Sequence, residues 1–137
     1  MNLTDVDSSE MNTSAGNPVI DMMEGQKDVT HKGGTMRLGT YPCEIVKGTK
    51  SYDAYQSTAV DERHRHRFEF NNEYLDQYKK GGMIASGINP TSNLVEIVEI
   101  EDHPWFVGAQ FHPEYKSTVV NPHPLFVGFV SAALNNK

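Results

Sequence analysis

Polar and apolar positions change rhythm along the 137-residue chain at about residue 33. Residues 1–32 are rich in Ser, Thr, Asn, Asp and Met, and their one apolar patch is Pro18-Val19-Ile20. Such a composition buries too little apolar area to offset the entropy of ordering, which predicts a mobile arm or a long loop before the core. From residue 33 to 137 the pattern is globular. Gly33-Gly34 is a turn signal, and the short alternating runs 35–38 and 43–46 flank Gly39 to Pro42 as a strand pair. Residues 50–56 predict a short helix, and 58–70 alternate with period two as a strand should.

Asn71 is placed to cap a helix running to about Lys80, with Tyr74, Leu75 and Tyr78 on one stripe and Gly81-Gly82 as its stop. Residues 83–87 and 94–100 read as strands separated by the turn residues Asn89 to Asn93. Residues 105–111 are apolar at most positions, as in a central strand covered on both faces. Residues 124–134 carry Leu125, Phe126, Phe129, Val130 and Ala133 at helical spacing, predicting an amphipathic helix. Strands mixed with helices make an α/β chain with a mixed sheet and flanking helices. So few strands and helices suggest part of a larger layered domain.

Composition narrows the partners. The formal net charge of -6 disfavours a nucleic-acid ligand and an anionic membrane surface, because both attract basic faces. No apolar run approaches the roughly 20 residues that span a bilayer, and the polar, acidic first ten residues do not resemble a signal peptide. One cysteine, Cys43, leaves no internal disulfide and no cysteine-based zinc site, so a reducing, cytoplasmic setting is expected.

The segment with most chemistry is Gln110-Phe111-His112-Pro113-Glu114, at the end of an apolar strand. In extended chain, residues two apart face the same way, so His112 and Glu114 can share one side. A carboxylate beside one imidazole nitrogen fixes the tautomer and stabilises the imidazolium. The other nitrogen is then free to take a proton from a nucleophile. A histidine before proline can equally be a turn residue.

The second candidate is Arg63-His64-Arg65-His66-Arg67. Period two puts three guanidinium groups on one face, where they suit a carboxylate, and His64 and His66 on the other with Phe68 and Phe70. The same arginines also read as a solvated face paired with Asp61 and Glu69. His64 and His66 have a metal-ligand spacing but no third ligand, so no metal is expected.

These motifs, with Gly33-Gly34-Thr35-Met36-Arg37-Leu38-Gly39, Glu62 to Asn71, His103-Pro104-Trp105-Phe106 and His123-Pro124-Leu125-Phe126, resemble class I glutamine amidotransferases. Within them the order of motifs over about residues 17–135 is similar to the CTP synthases. The resemblance implies a flavodoxin-like fold, here incomplete, with 33–137 as the C-terminal part of the amidotransferase domain. It implies His112 as general base and acid, Glu114 as its orienter, Arg67 as the clamp on the glutamine α-carboxylate, and Phe68 as a source of backbone contacts.

The family's thiolate sits in a glycine-x-cysteine-x-glycine turn, and Cys43 lacks those glycines. Cys43 therefore reads as a small buried strand residue, and the isolated chain is expected to be inactive. The nucleophile, the oxyanion hole and the domain using ATP, UTP and magnesium would lie upstream in the complete tetrameric enzyme. The chain itself is expected to hold no cofactor. Two other readings stay open: a non-catalytic remnant or regulatory docking piece, and an amidotransferase of another pathway.

Overall fold

The computed structural model describes residues 3–22 and 36–136. In chain order the strands are β1 (Val6–Ser8), β2 (Asn17–Met22), β3 (Arg37–Ile45), β4 (Ala59–His66), β5 (Phe68–Phe70), β6 (Met83–Ile88), β7 (Val95–Ile100) and β8 (Val107–Ala109). The helices are α1 (Lys50–Tyr55), α2 (Leu75–Lys80) and α3 (Pro124–Asn135), with 3-10 turns at Asn72–Tyr74 and Pro113–Lys116. The strands form a mixed three-stranded sheet ordered β1-β2-β5 and an antiparallel five-stranded sheet ordered β4-β3-β6-β7-β8.

Several elements depart from expectation. The segment expected to be an arm carries β1 and β2, and Ile20 pairs with Phe70 across the small sheet. Its three-residue apolar patch is enough because β5 supplies a partner edge and Asn71 Nδ2–H donates to the Pro18 carbonyl. The Gly33-Gly34 turn, Thr35 and residues 23–32 of the expected arm lie outside the described residues.

The two runs expected to pair with each other are one continuous strand, β3, which pairs with β4 from Arg37–His66 to Glu44–Ala59. Gly39 takes φ +108°, open to glycine, and the pairing with β4 runs through it without a register shift, so no turn interrupts the strand. The strand expected over 58–70 is broken at Arg67, because β4 belongs to the large sheet and β5 to the small one. The strand expected over 105–111 is ordered as β8 only across three residues, at an edge rather than the centre of the described sheet.

The helices start where their caps place them. Thr49 accepts from the Tyr52 N–H at the head of α1. Asn71 accepts from the Glu73 N–H at a 3-10 turn that leads into α2. His123 caps α3 with Pro124 in its first turn. On α3 only Leu125 is buried, while Phe129 and Leu134 are 56% and 62% exposed, so the predicted apolar stripe is largely uncovered among the described residues.

Cys43, Ile45, Ile97, Phe111 and Leu125 form the central cluster, with Tyr52, Tyr55, Val60 and Trp105 packed against it. Two close approaches require glycine. A β-carbon on Gly87 would lie 2.6 Å from Ile97 and 2.8 Å from the Cys43 sulfur, and one on Gly128 would lie 2.2 Å from the Trp105 ring.

Buried polar groups outnumber buried apolar ones among the described residues, and four of them are glutamates: Glu62, Glu69, Glu96 and Glu99. Unpaired charges there would be costly, so each needs partners. Glu99 accepts from the Lys50 and Ser51 N–H groups and the Ser51 hydroxyl, tying α1 to β7. Arg37 bridges Glu69 on β5, at 3.1 Å, and Glu96 on β7, and so clamps the two sheets together.

Candidate functional site

β4 runs inward at Glu62, His64 and His66 and outward at Arg63 and Arg65, as the period-two reading requires. The break between the two strands leaves Arg67 outside both β4 and β5 and half-buried. Glu69 pairs with Arg37, not with the arginine run.

His112 follows β8 and is pinned to β4, because its N–H donates to the Arg63 carbonyl at 2.8 Å. Pro113 then starts the 3-10 turn that carries Glu114 and Tyr115. Across this turn His112 Nδ1 lies 2.7 Å from Glu114 Oε1. The partner assigns the tautomer: a carboxylate needs a donor, so Nδ1 carries the proton and Nε2 presents a lone pair. Both side chains remain accessible, at 33% and 55% exposure. The hydrogen bond from His112 holds the Glu114 carboxyl below its usual range.

The His112 ring has two near-parallel neighbours. His66 lies 5.4 Å away at an interplanar angle of 11°, and Tyr115 lies 5.0 Å away at 23°. His66 in turn meets His64 edge-on at 5.1 Å. Burial pushes the His64 imidazole down to about 3, aided by the positive Arg37 and by its histidine neighbours. Burial likewise brings His66 down to about 4, with His112 and Arg37 adding to the effect. Both are therefore neutral near pH 7, and the 3.7 Å approach of His64 Nδ1 to Glu96 is not an ion pair.

Arg67 and Phe68 line a cleft of about 630 Å³ together with Ser9, Glu10, Met22, Arg65 and His66. His66 thus belongs both to the cleft wall and to the stack on His112. The four side chains singled out in the sequence fall into two neighbouring groups, His112 with Glu114 and Arg67 with Phe68, and His66 joins them. Among the described residues no group of three or more His, Cys, Asp and Glu side chains gathers as a metal site.

Cys43 is 1% exposed within the core, and burial pushes its thiol up to about 12. That is the reverse of an activated nucleophile.

The comparisons with known proteins agree on one family. The model of the class-I glutamine amidotransferases matches residues 10–132. The chain belongs to that family. A CTP synthase from Cytophaga hutchinsonii is 64% identical over 133 residues, covering 97% of this chain and 25% of the relative. A CTP synthase from Christiangramia forsetii is 56% identical over 133 residues, covering 97% and 24%. The chain spans about a quarter of the length of these relatives.

The solved glutaminase domain of a Trypanosoma brucei CTPS with bound acivicin superposes with a TM-score of 0.86 at 35% identity. That match covers 96% of this chain and 51% of the solved one. A Thermoplasma acidophilum structure, at 14% identity and a TM-score of 0.57, shows the fold alone. The two sheets with flanking helices are accordingly those of a class I amidotransferase domain.

Sequence reasoning missed His66 and Tyr115 as neighbours of His112, and Arg37 as the clamp between sheets. The alternation in Arg63 to Arg67 already turned His64 and His66 inward. Nothing local showed that the His112 ring would meet them, because β4 and the turn after β8 are far apart in sequence.

Proposed function

We propose that this chain supplies the acid-base half of the glutaminase site of a CTP synthase, completed by polypeptide outside the chain. The observation that carries this reading is the accessible His112–Glu114 pair, with Nδ1 held at 2.7 Å and Nε2 without a hydrogen bond among the described residues. His112 Nε2 would take the proton of a cysteine thiol, and the thiolate would attack the glutamine carboxamide carbon. The imidazolium would return the proton to the departing ammonia. A water deprotonated by the same nitrogen would then attack the thioester, breaking the C–S bond to release glutamate, and the imidazolium would return its proton to the departing sulfur. Glu114 would hold the ring in its productive tautomer throughout. Arg67 would bind the α-carboxylate in the cleft that it lines, with Phe68 beside it.

The thiolate must come from elsewhere, since Cys43 is buried with a raised pKa, so the chain alone would not hydrolyse glutamine. In the complete enzyme the ammonia would pass to a synthetase site that uses ATP and magnesium to convert UTP to CTP. The same reading makes the complete enzyme a cytoplasmic tetramer. No described helix is long and apolar enough to cross a membrane.

The test supplies the remaining part of the Cytophaga hutchinsonii enzyme in trans and assays ammonia release from glutamine. Restored activity that His112→Ala abolishes is expected. Restored activity indifferent to that substitution overturns the assignment.

A further inference from the structure

One hydrogen bond does not aim an imidazole. The contact from Nδ1 to Glu114 fixes one direction, and the ring can still tilt about the line joining the two atoms. Tilting swings Nε2, the atom that must meet the thiol, and misplacement of about 1 Å can cost roughly 100-fold in rate. The flanking rings block this tilt. His66 and Tyr115 both lie near-parallel to the His112 ring, at 5.4 and 5.0 Å, and among the described residues they make no ring contact with each other.

We propose that His66 and Tyr115, each near-parallel to the His112 ring, are positioning residues that together hold its plane and thereby aim Nε2. The proposal rests on the reading of His112 as the base. Each flank is itself fixed. His66 stands on β4, backed by His64, which packs edge-on against it and against Phe111. Tyr115 stands on the same 3-10 turn as Glu114, its N–H donates to the His112 carbonyl at 3.2 Å, and the Arg63 guanidinium lies 5.9 Å from its ring. One turn thus sets the hydrogen-bond acceptor and one stacking face together.

The choice of ring types suits the proton cycle. His66 stays neutral near pH 7, so it does not repel the imidazolium formed on His112. The π-face of Tyr115 attracts that cation. The positive groups around the stack include Arg63 beyond Tyr115, Lys116 on the same turn, Arg37, whose charge lowers His64 and His66, and Arg65 and Arg67, which share the cleft wall with His66. Glu114 is the carboxylate in direct contact with the His112 ring.

The test has two arms. In the 137-residue chain, ¹⁵N NMR of the His112 ring reads tautomer and mobility without needing activity. Tyr115 is 50% exposed, so Tyr115→Ala should leave the fold intact. It should bring the two ring-nitrogen shifts toward each other and broaden or average them, whereas Tyr115→Phe should not. His66→Ala should do the same, and His66→Phe, which keeps a flat ring, should not.

In the completed enzyme, Tyr115→Ala and His66→Ala should lower kcat for glutamine hydrolysis roughly 10-fold to 100-fold. Each phenylalanine variant should recover most of the kcat that its alanine counterpart loses, and for Tyr115→Ala KM should hardly move. Unchanged ring shifts and kcat in both alanine variants would overturn the proposal, and so would His66→Phe proving as damaging as His66→Ala. Activity that survives His112→Ala would instead sink the underlying functional reading, whatever the NMR shows.

Discussion

The chain contains three His-Pro dipeptides, and two of them, at His112 and His123, end in opposite chemistry. At His123 the ring is buried and both nitrogens are committed. Nδ1 accepts from the Leu125 N–H at the head of α3, and Nε2 lies 3.0 Å from Glu62 Oε1 and 3.1 Å from the Tyr55 hydroxyl. At His112 the residue two positions on is a glutamate, whose side chain rather than its N–H takes Nδ1. The required tautomers are therefore opposite, N–H on Nε2 at His123 and on Nδ1 at His112. Each ring has one carboxylate partner, but only His112 leaves a basic nitrogen facing an accessible surface. An imidazole-carboxylate pair is thus a base or a brace according to which nitrogen it consumes.

The largest expected effect comes from removing that difference. Glu114→Leu makes the dipeptide at 112 resemble the one at 123, freeing Nδ1 to accept from a backbone N–H. Glutaminase activity of the completed enzyme should fall roughly 10³-fold or more, since the orienting member of such a unit is lost. Denaturant unfolding should move by no more than about 0.5 kcal/mol, because Glu114 is exposed. A large stability loss with activity intact would show that the two pairs are both braces.

Glu62→Ala probes the brace. It leaves the Tyr55 hydroxyl and His123 Nε2–H without their buried acceptor, which should cost roughly 2–3 kcal/mol in denaturant unfolding. Burial and the nearby Glu62 charge hold the Tyr55 hydroxyl well above the usual tyrosine range, so it stays a neutral donor to that carboxylate. If Glu62→Ala costs no more than Glu114→Ala, burial does not separate the two pairs.

Acid should reach the stack behind His112. His64 and His66 have folded pKa values near 3 and 4, below the ordinary 6.5. The unfolded chain binds more protons there, so the stability these neutral rings represent is present above pH 6.5 and is lost as pH falls toward 4. Each contributes a slope of at most about 1.4 kcal/mol per pH unit. Burial raises the Glu69 and Glu96 carboxyls against the pull of Arg37, so they act in the opposite sense, regaining stability as they protonate. Melts of the wild type and of His66→Phe between pH 7 and 4 should separate these contributions, with the shallower acid slope in the variant.

These contrasts also mark what was legible in the sequence. Period two over 58–70 put His64 and His66 on one face and Arg63 and Arg65 on the other, as β4 does, because a half-buried strand imposes that alternation. His112 and Glu114 do meet, but across the 3-10 turn of Pro113–Lys116 rather than along the extended chain expected. The break at Arg67 was invisible, since nothing in Arg-His-Arg-His-Arg-Phe-Glu-Phe says that one sheet ends and another begins there. β2 was missed because its stability comes from pairing with β5, some 50 residues away. The stack of His66 on His112 was missed for the same reason, and so was the Arg37 bridge between Glu69 and Glu96. Pairwise motifs within one element survive reading in isolation; contacts between elements do not.

The third dipeptide, at His103, gives the smallest expected effect and the cleanest control. Its Nδ1 accepts from the Trp105 N–H at 3.2 Å, the same i to i+2 bond that His123 makes to Leu125. The residue is exposed and heads no helix, so water can replace the lost acceptor. His103→Ala should therefore cost only about 0.5 kcal/mol in urea unfolding. The bond from Trp105 is available only while Nδ1 is unprotonated, so adding a carboxylate two residues on should switch the tautomer. Trp105→Glu would confound this with lost packing against Gly128, which lies under that ring. The decisive reading is the ¹⁵N spectrum of the wild-type chain at pH 7, where His103 and His123 should show the N–H on Nε2 and His112 alone the N–H on Nδ1. Three rings with the same tautomer would remove the distinction between base and brace at its origin.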